Sequence, residues 1–280
     1  MNIIFRTDEN ILRAVGLYQT FGPPGAISRA MVEYPWIFGR YNYDINRLNH
    51  EITLLPHGYF SLFSYLFDDI TDDNTKVECA RLIEKMQHII YLPEINPKIN
   101  EFAKNLRMEY ANYNTKINNQ IKSIFDFDLP QELYIVINSN FTKNNGDGGG
   151  IYVSNKISAI SLGIPLGSNV LPETKHWIFV LIHELLHVLI RKNNKLLKTT
   201  DWFEEALLDY FVPNGIISNN FNETKLSVEE SFKINIQNRP YSEKISKELL
   251  PIMKKYAENI EVKNIWQFLE ENGIGKYINH

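Results

Sequence analysis

The chain has 280 residues, 44% of them hydrophobic, with a net charge of −4 and no basic block. This length provides ample core for one large domain or two modest ones, the composition is that of a soluble globular protein, and the charge argues against a nucleic-acid partner. The single cysteine, Cys79, excludes an internal disulfide framework and is typical of a reducing compartment.

The N-terminal segment does not have the pattern of a secretion signal. Met1–Arg6 is followed closely by the acidic residues Asp8 and Glu9, whereas a signal peptide needs a longer uninterrupted apolar stretch. No apolar run approaches the ~20 residues needed to cross a bilayer. We therefore expect a cytoplasmic protein without a membrane span, with secretion by a leaderless route as the alternative.

The first half of the chain has mainly helical patterns. Residues 1–56 contain few clear signals, although Ala26–Glu33 follows a Gly-Pro-Pro-Gly break and predicts a short helix. Beyond residue 57, apolar side chains recur at spacings of three and four, which is typical of helices with a buried stripe. The helices predicted there are Phe60–Phe67, Val77–Ile90 and about Ile95–Phe125.

After Pro130 the pattern changes to short strands. Leu133–Ile137 is apolar and rich in β-branched residues, which predicts a strand. The glycine-rich stretch Asn144–Gly150 predicts a loop. Ile151–Val153 and Ile157–Leu162 then predict two more strands.

The apolar run Trp177–Ile190 predicts a buried helix that contains His183-Glu184-Leu185-Leu186-His187. Positions i and i+4 lie on one helix face about one turn apart, so His183 and His187 can offer two imidazole nitrogens to one metal ion. Glu184 is displaced around the helix from the two histidines, towards the molecule that the metal binds. This is the H-E-x-x-H pattern, in which the carboxylate is the general base of a zinc hydrolase. The alternative is two histidines satisfied inside a packed helix.

Trp202–Tyr210 predicts a second helix that can complete the site. Catalytic zinc takes three protein ligands, and Glu205, 18 residues after His187, can supply the third. Asp209 lies at i+4 from Glu205, where it could accept the outer N–H of a ligand histidine. Glu204 is the rival ligand, but it lies ~100° around the helix and has no acid at i+4. We therefore predict Glu205 as the ligand.

With these two segments the sequence resembles the gluzincin metallopeptidases, the group that includes thermolysin and the zinc aminopeptidases. Many of them have a Trp-x-x-Glu-Gly-x-x-Asp-Tyr segment after the H-E-x-x-H helix, and here Ala206 stands at the usual glycine. The resemblance implies Glu205 as third zinc ligand and Asp209 as the acid that supports the ligands. It also implies a sheet whose edge strand pairs with an extended peptide substrate.

The resemblance favours an endopeptidase. The Gly-x-Met-Glu-Asn segment with which the aminopeptidases grip a free amine has no counterpart between Gly146 and Lys175. Pro240–Lys244 opens a further predicted helix and is similar to the Pro-Tyr-x-Lys-Gly stretch of that branch, although its lysine comes one position later. This implies that Tyr241 donates a hydrogen bond to the oxyanion. The alternative is that its ring packs beneath the preceding helix.

These inferences combine into one expectation. We expect an α+β fold, with a mainly helical region over residues 1–128 and a zincin-like domain over residues 129–280. We expect zinc-dependent hydrolysis of peptide bonds in a bound peptide or protein. The alternatives are a zincin-fold protein that is a non-proteolytic hydrolase, one that only binds zinc and a partner, and a helical interaction protein with an accidental motif.

Overall fold

In the computed structural model, the described residues are 1–21, 45–89, 96–140, 147–154, 157–165, 173–197, 201–222, 225–259 and 263–279. The predicted helix Ala26–Glu33 lies outside them, as does the start of the predicted loop, residues 144–146. Within the described part, the chain is a mostly helical mixed α/β protein with one small sheet, which is compatible with the expected α+β class.

The sheet has four strands in the order β1-β2-β4-β3. They are β1 (Asn2–Arg6), β2 (Glu132–Asn140), β3 (Asp147–Val153) and β4 (Ser158–Pro165). β2 pairs in parallel with both β1 and β4, and β3 pairs antiparallel with β4. The apolar side chains of β2 at positions 133, 135, 136 and 137 are fully buried on both faces, as expected for a central parallel strand.

The prediction of a loop over Asn144–Gly150 is wrong for residues 147–150. Here β3 begins at Asp147, and Gly148 and Gly150 pair with Leu162 and Ile160 of β4. Ladder hydrogen bonds come from the backbone, so a glycine run can join a sheet when a neighbouring strand supplies the partners. The register shifts between Gly150 and Tyr152, where a glycine-rich strand tolerates a bulge.

Most of the predicted helices are confirmed within a few residues. The helices in the described residues are α1 (Glu9–Phe21), α2 (Ile45–Thr53), α3 (Tyr59–Leu66), α4 (Asp73–Ile89), α5 (Asn96–Phe125), α6 (Thr174–Lys192), α7 (Asp201–Asp209), α8 (Val228–Asn238), α9 (Glu243–Glu258) and α10 (Ile265–Glu271). Short 3-10 turns occupy Ser218–Asn220, Pro240–Ser242 and Gly275–Tyr277. Among the described residues, no helix is both long and apolar enough to cross a membrane.

The chain divides into two compact units by its internal contacts. The first comprises Met1–Asn105 and Gln131–Glu173 and contains the sheet, and the second comprises Leu106–Pro130 and Thr174–His280. The predicted site residues all lie in the second unit. The boundaries of these units differ from the division between residues 128 and 129 that the sequence suggests. Whether residues 1–128 and 129–280 fold as independent domains stays a prediction.

An aromatic cluster holds the helices of the second unit together. Phe125 at the end of α5 packs edge-on against Phe211, just beyond α7, with ring centroids 4.8 Å apart. Trp266 of α10 donates its indole N–H to the carbonyl of Phe125 over 2.8 Å. Tyr256 of α9 packs against Phe211. Because these rings are large and buried, they fix the end of α7, which carries the predicted third ligand.

Candidate metal centre

The predicted ligands converge on one point. His183 and His187 on α6 and Glu205 on α7 each offer one ligand atom, and these atoms lie within 4.8 Å of one another. The Nε2 atoms of the two histidines are 3.0 Å apart. The Glu205 oxygens lie 3.3 Å from Nε2 of His183 and 3.2 Å from Nε2 of His187. Both histidines are buried.

The local fold explains why both imidazoles face Glu205. In α6, nearly every side chain from Trp177 to Ile190 is buried, so the helix is held in the core and its orientation is fixed. The one-turn spacing then puts both rings on the same side. The end of α7 is anchored by Asn235 of α8, which donates to the backbone carbonyl of Asp209 over 2.7 Å.

The turn after α7 brings a backbone carbonyl to His183. Ile216 N–H donates to the carbonyl of Tyr210 over 2.9 Å, so the chain folds back at once. A Cβ atom at Gly215 would lie 2.0 Å from that same carbonyl oxygen, so only glycine fits this approach. The carbonyl of Val212 in this turn lies 3.2 Å from Nδ1 of His183.

The outer nitrogens of the histidines both meet acceptors. Nδ1 of His183 faces the Val212 carbonyl, and Nδ1 of His187 lies 2.5 Å from Oε1 of Glu204. Because a carbonyl and a carboxylate only accept, each Nδ1 carries the hydrogen, and in a neutral ring Nε2 is left with its lone pair. Metal-binding histidines commonly have this outer support.

The donor set fits a zinc ion. Two imidazole nitrogens and one carboxylate are the ligands of many catalytic zinc sites, and bonds of about 2.0–2.1 Å in a tetrahedron separate neighbouring ligand atoms by about 3.4 Å. The separations of 3.0–3.3 Å between the Nε2 atoms and Glu205 are close to this value. Lone pairs and carboxylate oxygens that face one another in a buried site also favour a cation between them.

The structure changes the expected roles of the two neighbouring acids. Glu204, the rival ligand, is buried and supports His187 from the side opposite to Glu205. The sequence predicts that Asp209 accepts from a ligand histidine, but its Oδ1 accepts instead from Arg239 over 2.9 Å, and among the described residues its Oδ2 has no hydrogen-bond partner. The expected contact between Asp209 and a ligand histidine is not formed in the structure, and the role of Asp209 in supporting the site stays a prediction. The contact is not formed because the Val212 carbonyl and Glu204 already occupy the outer nitrogens of both histidines.

Arg239 is a site residue that the sequence did not indicate. Its Nη1 atom donates to Glu205 and to Asp209 and lies 3.5 Å from Nε2 of His183. The side chain is 30% exposed. It comes just before Pro240 and fits no helical spacing with the ligands, so only the fold brings it to them. The one signal in the sequence is its place directly beside the Pro-Tyr pair.

The electrostatics of the cluster are strongly coupled. Burial lowers the pKa of His187, but its hydrogen bonds to Glu204 and Glu205 outweigh burial and raise that pKa to about 9. Burial raises the pKa of Glu205, yet its close contacts with His183 and His187 outweigh burial and hold that pKa well below its usual range. For Asp209, burial outweighs the nearby charge of Arg239 and raises the pKa to about 6. The cluster therefore favours a positive charge on His187 or a cation between the ligand atoms.

The two predicted catalytic residues, Glu184 and Tyr241, differ in burial. Glu184 is buried on α6 beside His183, and its charge contributes to the raised pKa of His187, so its carboxylate is within electrostatic range of the cluster. Tyr241 is 55% exposed and its ring lies against Trp202 at a centroid distance of 4.3 Å. Its role as an oxyanion donor stays a prediction.

Comparison with known protein families, curated proteins and solved structures finds no match to this chain.

Proposed function

We propose that the protein hydrolyses peptide bonds with a zinc ion, as a metallopeptidase of the gluzincin type with a zincin-like catalytic part. The observation that carries the proposal is the convergence of His183, His187 and Glu205, with a further carboxylate, Glu184, next to the first ligand on the same buried helix. A cytoplasmic location and an endopeptidase mode belong to the same proposal.

The residues of the centre have separate tasks in this scheme. His183, His187 and Glu205 would hold the zinc, which when bound would supply a Lewis acid. Glu184 would accept the proton of the water that attacks the carbonyl and would pass this proton to the leaving amine. Tyr241 donates a hydrogen bond to the oxyanion. Each proton is therefore taken and returned by a side chain of this chain.

Glu204 and the Val212 carbonyl keep the rings ready for this task. Each accepts the Nδ1 hydrogen of one histidine, which fixes the tautomer and turns the Nε2 lone pair towards Glu205. By accepting these hydrogens, Glu204 and the Val212 carbonyl also raise the basicity of the Nε2 atoms that bind the metal. We infer that these two acceptors, rather than Asp209, are the supports that most affect metal affinity.

We further propose that a peptide substrate binds in extended form beside a sheet edge, because the outer backbone groups of an edge strand can pair with an extended peptide.

The rival function is a protein that binds zinc or a partner without hydrolysis, or a non-proteolytic zinc hydrolase. The observation that favours partner binding without hydrolysis is Arg239, because its guanidinium contacts Glu205 and a positive charge there opposes the binding of a metal cation. Against it, all the residue types needed for hydrolysis are present.

A cleavage profile on a whole proteome tests the proposal. Native zinc-loaded protein should generate new peptide termini, and Glu184→Gln should abolish them while it keeps the zinc and the thermal stability, since an amide does not accept the proton. The control Glu258→Gln changes an exposed glutamate of α9 and should cleave like the native protein. Turnover by Glu184→Gln close to native would refute the general-base role, and no cleavage by the native protein would favour the rival.

A further inference from the structure

Two exposed aromatic side chains lie on the segments that carry the metal-site residues. Trp202 is 51% exposed and Tyr241 is 55% exposed, and their rings pack together with centroids 4.3 Å apart and planes at 46°. Trp202 comes 3 residues before Glu205 on α7, and this spacing places two side chains on the same helix face. Tyr241 comes 2 residues after Arg239, which contacts Glu205.

The burial along α7 shows that the exposed face is the one that carries Glu205. Phe203 and Glu204, the residues between Trp202 and Glu205, are both buried. Glu205 itself retains 28% of its side-chain exposure. Trp202 and Glu205 therefore share the side of α7 that solvent, and hence a ligand, can reach.

The size of the aromatic pair decides between possible occupants. A Trp and a Tyr that are each about half exposed present roughly 200 Å² of surface in total. A stable protein–protein interface needs about 800 Å² per partner. The pair is thus too small to explain a second copy of the chain, but it matches the contact area of a single side chain of a bound ligand.

The surrounding charge decides which side chain fits. The faces of two aromatic rings attract cations, but Arg239 already holds a positive charge next to this pair and forms ion pairs with Glu205 and Asp209. A carboxylate would in turn meet the acids of the cluster. An uncharged apolar or aromatic side chain avoids both conflicts and gains by burying its surface against the rings.

We propose that Trp202 and Tyr241 form a subsite that binds one uncharged apolar side chain of a peptide, beside the ligand Glu205. The proposal rests on the proposed function in one respect, which is that the peptide is the substrate of the metal centre. With such a subsite, the type of residue next to the cleaved peptide bond would determine which peptides the protein prefers. Both rings contribute surface, and the Tyr241 hydroxyl is not needed for this binding.

Calorimetric titration of zinc-loaded Glu184→Gln tests the subsite without turnover. The probes are three blocked pentapeptides of alanine that differ only at the central residue, which is phenylalanine, lysine or alanine. The phenylalanine peptide should bind about tenfold more tightly than the alanine peptide. Equal affinity of these two peptides, absence of binding included, would overturn the proposal, and so would a preference for the lysine peptide.

Variants in the same background locate the preference. Trp202→Ala and Tyr241→Ala should each remove most of the difference between the phenylalanine and alanine peptides, with unchanged zinc content and thermal stability. Tyr241→Phe should preserve the difference because it keeps the ring. The control Phe60→Ala removes a 47% exposed ring of α3, outside the ligand-bearing segments, and should also preserve it. A preference that survives both alanine variants would overturn the proposal.

Two further measurements distinguish the subsite from a dimer interface and from the proposed hydrolysis. If light scattering shows a dimer that Trp202→Ala dissolves, the pair is an interface between copies, which would overturn the subsite. If the native protein cleaves no peptide although the phenylalanine preference is present and depends on Trp202, the proposed function fails and the subsite stands. The two claims therefore fail through different measurements.

Discussion

Replacing Glu205 by alanine should weaken zinc binding more than replacing its neighbour Glu204. Glu205 is the residue whose oxygens lie 3.2 and 3.3 Å from the Nε2 atoms of the two ligand histidines. Glu204 contacts the outer nitrogen of His187, Nδ1, and also pairs with Arg191. The first substitution removes a ligand, whereas the second removes the acceptor that orients one.

The expected losses follow from these positions. Structural zinc sites bind with about 10–16 kcal/mol, so each of four ligands accounts on average for about 2.5–4 kcal/mol, which is about 10²–10³-fold in affinity. Loss of an acceptor behind a ligand histidine costs about 10–100-fold. We therefore expect Glu205→Ala to bind zinc about tenfold more weakly than Glu204→Ala.

Competition with a chelating zinc indicator at one fixed pH measures both affinities. Glu204→Gln is a matched control, because its amide oxygen still accepts from His187, and it should stay within about tenfold of the native affinity. Glu205→Gln loses the negative charge of the ligand and should bind weakly. Equal losses from the two alanine variants, at unchanged thermal stability, would refute the assignment of Glu205 as the ligand.

The other contacts of the centre lead to three more expectations. Asp209→Asn should reduce zinc affinity less than Glu204→Ala does, because Asp209 contacts Arg239 rather than a ligand histidine, and an equal reduction in the same titration would contradict that contact. Zinc affinity should rise about tenfold per pH unit up to about pH 9, because the pKa of His187 is raised from 6.5 to about 9 and its proton must leave before the ring binds metal. Zinc titrations across this range measure the slope, and a flat profile is the contrary result. Tyr241→Phe should lower kcat by about 10²–10³ if the hydroxyl donates to the oxyanion, and steady-state turnover within about a factor of two of native would assign the donor to another residue.

The parts of the site that the sequence predicted depend on local geometry. His183 and His187 are one helical turn apart, so their shared face follows from the helix alone. The buried apolar run around them predicted the helix itself. The prediction of Glu205 as a ligand needed one further inference, which is that a second helix lies within reach of the first. These three residues do converge in the structure.

The parts that the sequence missed depend on contacts between distant segments. Helix phase places Glu204 and Asp209 on different sides of α7, but it does not say that Glu204 meets His187 and that Asp209 meets Arg239. Arg239 reaches the cluster only because the turns after α7 and α8 bring it there. No spacing along the chain carries that information.

The fold shows the same division between local and distant information. α5 was predicted because its apolar residues repeat at helical spacing over thirty residues. β1 was missed because a five-residue strand is defined by its partner, and that partner, β2, begins at residue 132. α8 has no clear apolar period in its polar sequence, although Ser227 and Glu230 form a capping box that marks its start.

The zinc content of the purified protein tests the central claim most directly. Elemental analysis of native protein prepared without chelator should give about one zinc per chain, as expected for a site with three protein ligands. The double variant His183→Ala, His187→Ala should hold almost none, and His88→Ala, which changes an exposed histidine of α4, should match the native protein. A native protein that contains no zinc and takes up none on titration, or a double variant that retains as much as the native protein, would contradict the account.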